Sequence, residues 1–117
     1  MRNEINDPAR LALMLESIGN IELFVEGVDS YKAFATDKIL CHAVVYNLQC
    51  IGESVYKLSP EFITSHKDYN WDVVKGLRQV LVHDYYAVNM ETIWAILEKD
   101  LPLLKAYLLA ITGFNVD

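Results

Sequence analysis

The stretch Arg78-Gln79-Val80-Leu81-Val82-His83-Asp84-Tyr85-Tyr86 holds a guanidinium, an imidazole, a carboxylate and two phenols within nine residues. The rest of the chain reads as apolar stripes. An imidazole titrates near neutral pH and suits proton transfer, and a guanidinium can hold a phosphate through two parallel N–H bonds. Five residues separate Arg78 from His83, so on one straight helix they point ~140° apart with ~7.5 Å of rise between them. They do not converge automatically. The length of the Arg side chain, with fraying before Tyr85-Tyr86, could bring both heads to one end, and a second copy across a two-fold axis would do so more easily. Each residue also has a plainer reading. His83 would be an imidazole interacting with a helix C-terminal dipole, Arg78 an ion-pair partner of Asp84 or Asp72, and Tyr85 and Tyr86 amphipathic cover at a helix-bundle end.

The elements that position this stretch are helical. Asp7-Pro8 opens the first, predicted over 8–26, with Asp7 as cap, Leu11, Leu15, Ile18, Ile21/Glu22 and Val25 as its stripe, and Gly27 as a left-handed stop. Ser30 and Asp37 are successive cap signals around a short helical turn, Tyr31 to Ala35, that drops an aromatic onto the core. From Lys38 to Leu58 the residues Leu40, Val44, Leu48, Ile51, Val55 and Leu58 keep helical spacing for five turns, widened by Ala43 and Cys50. Gly52 inside this run costs about 1 kcal/mol relative to Ala, which suggests a close backbone approach. Glu53 beside it is either solvated or paired with a Lys or Arg, or else supports the Arg78/His83 pair.

Ser59-Pro60 repeats the cap-then-proline device for a short helix toward Thr64, closed by Asp68-Tyr69-Asn70. Asn70 caps a helix from Trp71 to about His83, with Val73, Val74, Leu77, Val80 and Leu81 as its buried side. Asn89 caps the last, with Ile93, Ile96, Leu97, Leu101, Leu104 and Leu108 as its stripe, and Pro102 must kink or split it near Asp100. No strand pattern, internal repeat or low-complexity segment competes. The expectation is an all-α, antiparallel four-helix bundle with short additional helices, one domain over 1–117.

Composition narrows the function. The net charge is −6, so the broad basic field that drives sequence-independent nucleic-acid binding is missing and any RNA contact must be local or assisted by a partner. Cys41 and Cys50, nine residues apart on one predicted helix, lie on opposite faces and read as reduced, mostly buried thiols of a cytosolic protein. His42, His66 and His83 share no ligand spacing with them, so no metal site is expected. The N-terminus has no apolar signal core, and Leu101 to Ile111 is interrupted by Pro102 and Lys105, so neither secretion nor a membrane span is expected.

The pattern Arg-x-x-x-x-His-x-Tyr of Arg78, His83 and Tyr85 resembles the signature of HEPN-domain ribonucleases, specifically the HepT-like toxins encoded beside a minimal nucleotidyltransferase antitoxin. Ile51-Gly52-Glu53, Trp71, Val88-Asn89, Trp94 and Asp100-Leu101-Pro102 are similar to further landmarks of that family, in order, from Leu15 to Leu108. One position departs: the family commonly has Asn after the Arg, where this chain has Gln79, whose amide sits one methylene further out.

The resemblance implies a HEPN helical domain, a homodimer and cytoplasmic metal-independent RNA cleavage without a cofactor. Such cleavage needs a base for the ribose 2′-OH, a cation for the charge on the phosphorane and an acid for the leaving 5′-oxygen. Arg78 and His83 would be the catalytic residues, with Gln79, Asp84, Tyr85 and Glu53 in support. Two chains would place two such pairs around one cleft, with Lys57 and Lys75 adding charge. DNA lacks the 2′-OH and should not be cut. The resemblance also makes Tyr85, with Tyr86 as the neighbouring alternative, the position that the partner nucleotidyltransferase modifies with AMP, adding phosphate charge beside the catalytic pair. Two rivals stand beside this reading: a non-catalytic substrate-binding or regulatory subunit of a nucleotidyltransferase complex, which Gln79 and the acidity favour, and a plain helical adaptor.

Overall fold

The structure, a computed structural model, describes residues 6–76 and 89–114. Its elements in chain order are α1 (Asp7–Phe24), α2 (Tyr31–Ala35), α3 (Lys38–Tyr56), α4 (Pro60–Ser65), α5 (71–76), α6 (Met90–Ala95), a π-helical turn (Ile96–Asp100) and α7 (Leu101–Thr112). Among the described residues there is no strand, and the fold is all-α as expected. The helix predicted from Trp71 to His83 is seen through residue 76, and its remainder lies outside the described residues.

The caps explain most of the boundaries. Ser30 accepts from Ala33 N at 3.1 Å, Asp37 from Leu40 N at 3.1 Å and Ser59 from Phe62 N at 3.0 Å, each satisfying an amide that its helix leaves open. The first helix departs from expectation. Its cap is Asn6, whose Oδ1 accepts from Ala9 N at 3.0 Å, and Asp7 is the first helical residue. Asp7 instead reaches across the fold, accepting from Ser59 N at 2.9 Å and Ser59 Oγ at 2.6 Å. The helix also stops at Phe24 rather than 26, and Gly27 follows with φ 83°, the left-handed conformation expected of it.

The core sits where α1 packs on α3 and α7, closed by α2 and α6. The α3 stripe is buried as predicted: Leu40, Val44, Leu48, Ile51, Val55 and Leu58 all belong to the core. Phe34 of α2 is wholly buried, against Trp94 at 5.3 Å between ring centroids. In α1 the buried set is Leu11, Met14, Ser17, Ile18 and Ile21, while Leu15 and Val25 only pack against its edge. Val74 is buried as expected, together with Trp71, but Val73, also expected on the buried side of α5, is exposed. The three-residue step from Trp71 to Val74 sets that face, and Val73 lies ~100° away from Val74.

Pro102 has the effect expected of it. Lacking a backbone N–H, it cannot close an α-helical bond to the carbonyl four residues back, and the turn before it widens so that Leu101 N donates to Ile96 O, five residues back. Gly113, in the left-handed region at φ 72°, then ends α7 by donating to Leu109 O.

Candidate functional site

Arg78, Gln79, His83, Asp84, Tyr85 and Tyr86 lie outside the described residues, as do Leu77, Val80 and Leu81. The structure does show what holds the chain on either side of them. Before the motif, Trp71 is buried at the start of α5, and its indole Nε1 donates to His66 O at 2.9 Å. Its ring packs edge-on against Phe62 at 5.7 Å and Tyr107 at 5.8 Å, with Tyr69 tilted against it at 4.9 Å. Tyr107 in turn donates its hydroxyl to Asp68 at 2.6 Å. Burial and that bond to Asp68 push the Tyr107 phenol up to about 12, and burial with nearby Asp100 raises Tyr69. After the motif, Asn89 caps α6, its Oδ1 accepting from Glu91 N at 2.7 Å, and Trp94 lies on Phe34. Trp71, Asn89 and Trp94, singled out in the sequence as landmarks, are therefore the fixed points on either side of the motif.

Glu53 is half-buried on α3 and forms an ion pair with Lys57 at 3.2 Å, the simpler of its two expected roles. Lys75 is half-buried on α5. His42 is exposed, with Nδ1 2.8 Å from Lys38 O. His66 is the C-cap residue of α4, stacked on Phe62 at 4.0 Å with Nδ1 2.9 Å from Phe62 O. Cys41 is buried as expected, its thiol directed at Phe34 O at 3.3 Å and pushed up by burial and by Asp37. Cys50 is only half-buried.

A groove of about 440 Å³ runs between α1 and α3, with Leu13, Tyr46 and Cys50 among its apolar lining and Arg10, Glu16 and Glu53 as its charges. Asn20 and Asn47 bridge its floor at 3.2 Å, and Nε of Arg10 is buried without a hydrogen-bond partner. Sequence reading missed this feature, although the seven-residue spacing of Tyr46 and Glu53 along α3 is its signal. Among the described residues no group of three or more His, Cys, Asp or Glu could hold a metal ion, and no helix is long and apolar enough to cross a membrane.

Comparison with known proteins places the chain. The family described as "Ribonuclease HepT-like" matches residues 14–111. The protein named "Putative RNase TTE0752" of Caldanaerobacter subterraneus subsp. tengcongensis is 37% identical over 81 residues, covering 69% of this chain and 71% of that one. "Probable ribonuclease HepT" of Thermococcus cleftensis is 30% identical over 90 residues, 77% of this chain and 81% of its own length. "Putative RNase MJ1380" of Methanocaldococcus jannaschii is 29% identical over 92 residues, 79% of this chain and 84% of its own. No solved structure matches significantly. A match running from Met14 in α1 to Ile111 in α7, which takes in every core residue but Leu11, leaves one conclusion: the chain belongs to the HepT-like ribonuclease family of HEPN proteins.

Proposed function

We propose that this protein is a metal-independent endoribonuclease, the toxin of a type II toxin–antitoxin pair, working in the cytoplasm as a homodimer. The observation that carries the reading is the Arg78-x-x-x-x-His83-x-Tyr85 pattern lying inside the family match over 14–111. His83 exchanges protons with the ribose 2′-OH and, from the second chain, with the leaving 5′-oxygen, while Arg78 holds the phosphorane charge. Attack by the 2′-oxygen on phosphorus breaks the P–O5′ bond and leaves a 2′,3′-cyclic phosphate and a free 5′-hydroxyl. A partner nucleotidyltransferase neutralises the toxin by transferring AMP to Tyr85, or to Tyr86, and the added negative charge repels the substrate phosphates. Gln79, Asp84 and Glu53 support the catalytic pair.

RNA cleavage in EDTA, comparing wild type with His83→Ala and Arg78→Ala and measuring the intact mass of each preparation, tests this. Wild type should cut and leave cyclic phosphate ends, with each variant at least a hundredfold slower. No cleavage from a chain of unmodified mass would overturn the reading. No cleavage from a chain carrying the mass of AMP would mean that the toxin was isolated switched off, and removing the AMP should then restore activity.

Two observations favour a second reading, the non-catalytic binding subunit of a nucleotidyltransferase complex: Gln79 in the motif and the net charge of −6. It predicts tight binding of a nucleotidyltransferase and no cleavage by unmodified protein.

A further inference from the structure

Among the described residues, polar side chains are buried in one place. Ser17, Asn47 and Ser54 are 8%, 6% and 5% exposed, and all three line the groove between α1 and α3. Packing alone would put apolar groups there, since a buried polar group costs stability until it is bonded. The Asn20–Asn47 and Asp7–Ser59 bonds set α1 antiparallel to α3. Arg10 therefore lies at the end of the groove where Glu53 and Ser54 stand, and its Nε is buried without a hydrogen-bond partner. A donor so placed calls for an acceptor that a ligand can bring.

Nucleotide chemistry fits the groove from end to end. Tyr46, 65% exposed, offers a ring face at the end away from Arg10, with the Cys50 thiol beside its hydroxyl. Such rings stack the bases of unpaired strands. Gln49, half-buried three residues on, carries a donor and an acceptor side by side, the pattern that adenine meets with its 6-amino group and N7. Arg10 suits a phosphate. Glu16 and Glu53 also line the groove, and Glu53 is held by Lys57. Two carboxylates oppose a small bare anion but accept from ribose hydroxyls, so the charges favour a nucleotide over inorganic phosphate. About 440 Å³ lies within the range of small-molecule sites.

We infer that this groove is a nucleotide subsite holding one adenosine of the RNA chain, its base on Tyr46 and Gln49 and its phosphate on Arg10. The inference rests on the proposed ribonuclease and names residues that choose where it cuts. Tyr46 and Glu53 are ~10.5 Å apart along α3, and Glu53 is the residue proposed to support Arg78 and His83. The held adenosine therefore lies within a nucleotide or two of the bond that is cut. Tyr46, Gln49 and Arg10 determine specificity: they hold a neighbouring nucleotide and leave the proton transfers to the catalytic pair.

Calorimetric binding of 5′-mononucleotides to the full chain is the first test. Adenosine monophosphate should bind about fivefold or more tightly than uridine monophosphate, and than adenosine, which lacks the phosphate. Tyr46→Ala should weaken it about tenfold or more and Tyr46→Phe by no more than about twofold, because the ring is what stacks. Gln49→Leu should bring the two nucleotides within about twofold of each other. Leu103→Glu, at a 66% exposed position of α7, should change nothing. If Tyr46→Ala does not fold, illumination of wild type with 8-azidoadenosine monophosphate replaces it and should attach the label within residues 46–50. No binding, binding indifferent to Tyr46→Ala, or a label elsewhere would overturn the inference. On RNA, single-turnover cleavage beside adenosine should be about fivefold faster than beside uridine, and Tyr46→Ala should level the two. A preference that survives Tyr46→Ala would also overturn it, leaving the groove a site for free nucleotide. Cleavage without nucleotide binding would sink the subsite and spare the nuclease; adenosine monophosphate held through Tyr46 with no RNA cut would do the reverse.

Discussion

Asp7 and Ser59, 52 positions apart, are joined by two hydrogen bonds to one carboxylate, 2.9 Å from the Ser59 amide and 2.6 Å from its hydroxyl. The same hydroxyl oxygen accepts from Phe62 N at 3.0 Å, so one serine ties the start of α1 to the start of α4. Bonds to an ionised acceptor are the stronger kind. Asp7→Ala should cost about 1–3 kcal/mol in urea unfolding. Asp7→Asn, which keeps one acceptor, should cost less; equal losses would mean that a neutral acceptor recovers nothing and that the whole effect rests on the carboxylate.

Tyr107 gives a signature at high pH. Its folded value, about 12, lies above the ordinary phenol range, so the folded state holds this proton more tightly than the unfolded chain. The stability it contributes is therefore complete below pH ~10 and is lost as pH rises through 12. Titration followed by phenolate absorbance should show a late-ionising tyrosine that disappears in Tyr107→Phe. Persistence of that phase in the variant would assign it elsewhere.

Phe34 is the sole fully buried side chain of α2, a helix of five residues. Truncation to alanine should cost about 3–5 kcal/mol, since a ring-sized cavity would open beneath Trp94. Trp94 emission should shift to the red while that of Trp71, packed among Phe62, Tyr69 and Tyr107, stays in place.

Gln79 tests the departure from the family pattern. If the extra methylene holds its amide out of reach, Gln79→Asn should raise the single-turnover cleavage rate several-fold with unchanged melting temperature. An unchanged rate would show that the longer side chain does the same work.

Local features were the legible ones. The α3 stripe, the caps Ser30, Asp37, Ser59 and Asn89, the left-handed Gly27 and the disturbance before Pro102 each depend on a few neighbouring residues whose chemistry leaves little choice. Features made by packing were not. Met14 and Ser17 are buried because α1 is covered on two sides, by α3 and α7, which widens the protected face beyond one stripe. Asn47 is tolerated inside because Asn20 bonds it from another helix, and Asp7 gave its cap to Asn6 because Ser59 lies within reach. The candidate site was readable as a pattern of side chains, Arg78 through Tyr86, but its spacing alone leaves the two heads pointing ~140° apart. Their convergence depends on neighbours that one sequence does not place.

The widened turn at Ile96–Asp100 amounts to one residue more than an uninterrupted α-helix needs. Along a regular helix Leu101 would stand ~80° around from Ile93, and with the surplus residue absorbed it falls within ~20° of it, so both reach the core. The last helix thus tolerates a change of length that a straight one would not. A chain lacking Glu98 should keep every core residue from Ile93 to Leu108 facing inward, whereas one with an added residue in α3 would turn half of its core stripe toward water. Single-residue deletions in this family should therefore gather before Pro102.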